Sequence, residues 1–128
     1  MGLAEKRIRQ DLETRVIPEA IGEFNKLCGG ELRIDIDWDS FDSKDSLQEI
    51  EHQVIGRVIS EIRNLCTDDL AKEAVAESLA CLRIKNLENA DGRQILLQDK
   101  TLSMQTHWQN FGDIFSWDDI REAIETKL

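Results

Sequence analysis

The stretch ELRIDIDWDSFDSKD, residues 31–45, separates one helical pattern from another and decides how the chain folds. Between Leu32 and Phe41 the period changes to two: one side carries Leu32, Ile34, Ile36 and Trp38, and the other carries Arg33, Asp35, Asp37 and Asp39. This period of two is typical of a β-strand that buries one face and exposes the other. We therefore expect Ile34 and Ile36 to point into a core, with the intervening aspartates in water.

Before this strand, apolar residues recur at helical spacing from Leu3 to Leu27. Pro18 is the only proline and lacks the amide N–H that a helix interior needs, so it predicts a kink or the start of a second helix. Gly29 and Gly30 predict the left-handed end of that helix.

Two more helices are predicted after the acidic stretch. The first should start near Leu47, because Ser46 and Glu49 have the spacing of a capping box. Its broad apolar stripe, which runs to Leu65, indicates the central helix of the fold. Thr67 is the expected N-cap of a second, slimmer helix.

Strand patterns follow in LRIKNL, QILLQ and TLSMQTHW, separated by turn signals at Asp91-Gly92 and Asp99-Lys100. A last helix should open at Ser116. The chain thus predicts one domain, residues 1–128, of the α+β class. Its expected order is α(kinked)-β-α-α-β-β-β-α, with helices packed on one face of an antiparallel sheet of three to four strands.

Composition limits the partners. The formal charge of −10 and a pI near 4.6 disfavour direct binding to nucleic acid or to an anionic membrane surface. No uncharged apolar run approaches the ~18 residues of a membrane span, and the first residues lack a signal-peptide core. Three cysteines without a CxxC pair favour a reducing, cytoplasmic setting, with each thiol a small buried hydrophobe.

Motifs for chemistry are missing from the sequence. A calcium loop counted from Asp35 lacks its glycine at Ser40 and its bidentate glutamate at Ser46. His52 and His107 are the only histidines, too few for a histidine-based catalytic metal set. No nucleophile motif or phosphate loop is present. We therefore predict no catalytic residue, no metal ligand and no cofactor, which favours a protein that is not an enzyme.

The acidic stretch carries the strongest functional signal. Seven carboxylates lie between Asp35 and Glu51, against one lysine, Lys44. Such a cluster accelerates the capture of a positively charged surface. In composition alone, this short acidic chain resembles small inhibitor, immunity and antitoxin proteins that neutralise a basic effector. We predict a non-enzymatic protein-binding module whose contact residues are Asp35, Asp37, Asp39, Asp42 and Asp45.

Three alternatives stay open. The acidic face could be only the solvated side of a strand. A small enzyme or ligand-binding domain would build its pocket from residues distant in sequence, and a deep apolar cavity holding perturbed carboxylates or His107 would favour it. A structural subunit or homo-oligomer would have an apolar partner surface. Separately, Phe111, Phe115 and Trp117 are candidates for an exposed contact patch. The sequence leaves the oligomeric state open.

Overall fold

The computed structural model describes residues 2–128. Their helices are α1 (Leu3–Asp11), α2 (Ile17–Cys28), α3 (Lys44–Glu49), α4 (Gly56–Leu65), α5 (Asp69–Ser78) and α6 (Trp117–Glu125). Their strands are β1 (Arg33–Ile36), β2 (Cys81–Asn86), β3 (Gln94–Gln98) and β4 (Thr101–Thr106). The π-helical segments Leu12–Val16 and Ile50–Ile55 join α1 to α2 and α3 to α4, and 3-10 turns cover Trp38–Ser40 and Phe111–Asp113. The sequence prediction did not include these π segments and turns.

The four strands form one sheet in the order β1-β2-β4-β3. β2 pairs in parallel with both β1 and β4, whereas β3 and β4 pair antiparallel. The α+β class is confirmed, but the prediction of an antiparallel sheet is wrong. Helices α3 to α5 connect β1 to β2 as a crossover, which parallel strands require. The β3–β4 hairpin then places β3 at the outer edge and β4 beside β2.

One face of the sheet packs against the helices and the other is open. On β1, Ile36 is buried and Ile34 is half-buried against the core, while Asp35 is exposed. Arg83 and Lys85 of β2 are exposed on the same side as Asp35. The predicted inward orientation of the two isoleucines is therefore confirmed.

Two helix starts differ from the prediction. Helix α3 begins at Lys44 rather than near Leu47, because Ser43 is its N-cap. The Ser43 hydroxyl accepts from the Ser46 amide at 3.1 Å, and the Ser46 hydroxyl accepts from the Ser43 amide at 3.2 Å. Helix α5 is capped by the Asp68 carboxylate and not by Thr67. In each case a nearby Ser or Asp supplied the cap instead.

The π-helical segments lie near residues that disturb a regular helix. Pro18 is the second residue of α2 and lies two residues after the first π segment, within a backbone that stays right-handed helical from α1 into α2. Gly29 ends α2 with a φ of 78°, the predicted left-handed cap. Gly56 follows the second π segment, and a Cβ there would lie 2.9 Å from the Glu51 carbonyl oxygen. Within residues 2–128, no helix is both long and apolar enough to cross a bilayer.

Candidate functional site

The segment 37–45, which we call the acidic turn, follows the carboxyl end of β1. The strand stops at Ile36 instead of reaching Phe41, and the chain curls into a 3-10 turn. The Ser40 hydroxyl donates to the Asp37 carbonyl at 2.6 Å, and the Phe41 amide donates to the Trp38 carbonyl at 3.1 Å. These local bonds compete with strand pairing. The expected straight row of aspartates is therefore bent.

All five predicted contact residues are exposed, but they lie in two places. Asp35 is on the open face of the sheet, where its carboxylate lies 3.6 Å from the Arg83 guanidinium. Arg33 and Lys85 are exposed on that same face. Three cations thus share the β1–β2 part of the open face with one carboxylate, so positive side chains outnumber negative ones there.

The other four predicted contact residues lie together in the acidic turn: Asp37, Asp39, Asp42 and Asp45. Within the described part of the chain, no lysine, arginine or histidine nitrogen lies within 4.0 Å of their carboxylates. Lys44 is the only cation in the segment. Unpaired charges on one short segment project a negative field into the solvent.

The backbone of the acidic turn is anchored by Asn86, the last residue of β2, which is 8% exposed. The Asn86 amide donates to the Ser40 hydroxyl at 3.0 Å, and its side-chain nitrogen donates to the Ser40 carbonyl at 3.2 Å. Its side-chain oxygen accepts from the Trp108 amide at 3.0 Å. Phe41, at the centre of the turn, is fully buried. The turn is therefore fixed to the carboxyl ends of β2 and β4.

A cleft of about 350 Å³ opens beside the acidic turn. Asp39 and Asp42 line it together with Glu88 and His107. No local sequence pattern links Glu88 and His107 to the turn. Each follows the end of a strand, and β1, β2 and β4 run parallel, so their carboxyl ends meet at one edge of the sheet. If the parallel direction of these strands had been predicted, Glu88 and His107 would have been expected beside the turn.

The aromatic residues near the C-terminus divide between core and surface. Phe115 is 1% exposed and packs edge-on against Trp108, with ring centroids 5.6 Å apart. Phe111 is 75% exposed and Trp117 is 48% exposed. The buried Arg57 guanidinium lies 4.2 Å from the centre of the Trp117 ring and donates to the Phe115 carbonyl at 2.9 Å. Arg57 therefore holds the start of α6 against α4.

One buried carboxylate lies outside both the acidic turn and the group of aromatic residues near the C-terminus. Glu61 on α4 is 3% exposed, and its Oε2 has no hydrogen-bond partner among the described residues. Across residues 2–128, no group of three or more His, Cys, Asp and Glu side chains could hold a metal ion.

The best-defined site is therefore the acidic turn with its adjoining cleft. Comparisons with protein-family models, curated proteins and solved structures found no match.

Proposed function

We propose that the chain is a non-enzymatic protein-binding module whose acidic turn captures a basic protein partner. The observation that carries this proposal is the combination of four exposed, unpaired carboxylates with a backbone held by Asn86. A segment that is already ordered loses little conformational entropy when it binds. Because these carboxylates form no internal ion pairs with the residues that the structure describes, no such pair has to be broken before they bind a cationic surface.

The proposed partner has a cationic working surface, such as the substrate-binding face of a nuclease. The net charge of −10 adds a long-range attraction to the local field of the turn and raises the rate of encounter. Covering such a surface with carboxylates would neutralise the partner, which is the action of an inhibitor or immunity-type protein. Asp35 lies at the margin of this site, where its ion pair with Arg83 would have to open.

The test begins with a partner captured from the native host on the immobilised chain at low salt and released at high salt. The association rate is then measured by stopped flow for the wild type and for the variant D37N/D39N/D42N/D45N. We expect this variant to associate at least tenfold more slowly, with a weaker dependence on salt, because steering acts mainly on the association rate.

The matched control is E73Q/E77Q/E122Q/E125Q, which removes the same charge from exposed carboxylates of α5 and α6. It should slow association much less, because those charges lie outside the acidic turn. Equal slowing by the two variants would show that only net charge matters and would contradict the proposed site. Competition between this chain and DNA for the partner would identify an acidic surface that imitates nucleic acid.

A second candidate function is the binding of a small cationic ligand in the cleft beside the turn. The observation in its favour is that Asp39, Asp42, Glu88 and His107 line one cleft within the size range of ligand sites. Ligand sites are mostly apolar, whereas these four side chains are polar. A panel of small amines that raises the melting temperature of the wild type, but not of E88Q or H107A, would support this candidate. No such difference would count against it.

A further inference from the structure

Two of the three cysteines meet inside the protein. The Sγ atoms of Cys28 and Cys66 lie 2.8 Å apart, although the residues are 38 positions apart in the sequence. Cys28 is 8% exposed and Cys66 is 6% exposed. The third cysteine, Cys81, lies on β2, where its sulfur is 3.7 Å from the Arg33 guanidinium. The contact therefore singles out one pair from the three thiols.

We propose that Cys28 and Cys66 are a disulfide-forming pair that links the ends of α2 and α4. A disulfide joins sulfur atoms at about 2.05 Å, so bond formation needs the two sulfurs to approach by roughly 0.8 Å. Cys28 is the last residue of α2 and Cys66 is the C-cap of α4. Both residues lie where a helix ends, so the adjustment does not require bending a helix interior.

The oxidant is a small-molecule disulfide, for which oxidised glutathione is the example. One cysteine thiolate attacks a glutathione sulfur, which breaks the glutathione S–S bond and releases one glutathione thiolate. The second cysteine thiolate then attacks the protein sulfur of the mixed disulfide and expels the second glutathione. The protons lost by the two cysteines end on the two released glutathiones. Two protein thiols are oxidised and one glutathione disulfide is reduced.

Burial decides when this exchange can occur. Desolvation, followed by the contact with Cys66, raises the pKa of the Cys28 thiol to about 12, so the thiol stays neutral in the folded chain. Oxidised glutathione also cannot reach two sulfurs that are almost fully covered. The bond is therefore made while the chain folds, and folding then shields it from reductants. Whether the pair is oxidised therefore depends on the redox conditions during folding.

The test refolds the denatured, fully reduced protein in a glutathione redox buffer and, in parallel, in excess reductant. The refolded products are denatured without added reductant so that the buried thiols become accessible. Free thiols are then blocked with a maleimide, and the products are mapped by mass spectrometry. After the redox buffer we expect one blocked thiol, at Cys81, and a cross-linked peptide that contains Cys28 and Cys66. The melting temperature should exceed that of the reduced protein by roughly 10 °C, because the cross-link restricts the unfolded chain.

Three blocked thiols after the redox buffer would overturn the proposal, as would a cross-link to Cys81 or a glutathione adduct without a cross-link. C81S should form the same cross-link, and C66A should form none. The mapping of the wild type does not depend on whether C66A folds. Since the acidic turn contains no cysteine, this result and the partner-binding test stand independently.

Discussion

Replacing Asn86 by alanine tests how the acidic turn is held in place. The substitution removes the acceptor for the amide of Trp108, a residue that is fully buried. An unsatisfied buried donor costs about 1–3 kcal/mol. The bond to the Ser40 carbonyl is also lost, but Ser40 is only half-buried, so its net loss is about 0.5–1.5 kcal/mol. We expect N86A to lower the free energy of unfolding by about 2–4 kcal/mol.

The assay is urea denaturation followed by tryptophan fluorescence, with the free energy obtained by linear extrapolation. N64A is the matched control, because Asn64 is exposed on α4 and should change stability by less than about 0.5 kcal/mol. Amide hydrogen exchange should also become faster at residues 40 and 41 in N86A than in N64A. A loss below about 0.5 kcal/mol in N86A would refute the anchoring role of this side chain.

Two further predictions concern a glycine in the helical layer and a helix cap. G56A should lower the free energy of unfolding by about 1–3 kcal/mol, because its Cβ would lie 2.9 Å from the Glu51 carbonyl oxygen. The control G22A on α2 places its Cβ where no atom lies within 4 Å, so it should stabilise the fold. Urea denaturation measures both changes. The hydrogen bond from the Ser116 amide is the main cause of the lowered pKa of Asp119, so its carboxylate stabilises the fold above about pH 4 and loses this effect as the pH falls through the folded pKa. The urea midpoint of D119N should therefore fall less steeply than that of the wild type below about pH 4.

The sequence predicted the elements whose signal is local. Alternation around Ile34 and Ile36 indicated both a strand and its buried face, because a period of two leaves only two orientations. The helix start at Ser116 was also predicted from a local signal, because both residues of its capping box lie within one helical turn. Strand direction was missed, because alternation is the same whether a neighbour runs parallel or antiparallel.

The contacts that define the site could not be predicted from local patterns. Asn86 and Ser40 are 46 positions apart, and Cys28 and Cys66 are 38 apart. Nothing in the spacing of these residues indicates a pairing, because the sheet register and the helix packing bring them together. Asp35 shows the same limit, since its neighbour Arg83 belongs to another strand. The exposed aspartates of the turn were predicted, whereas their anchor and the adjoining cleft were not.

The surface potential of the free protein tests the central claim most directly and needs no partner. Paramagnetic relaxation of backbone amides is compared for a cationic and an anionic nitroxide in solution, since the ratio reports the local potential at each residue. We predict a strong excess of the cationic probe at residues 37–45 and an excess of the anionic probe around Arg83 and Lys85. Equal effects of the two probes at residues 37–45 would contradict the proposed acidic docking surface.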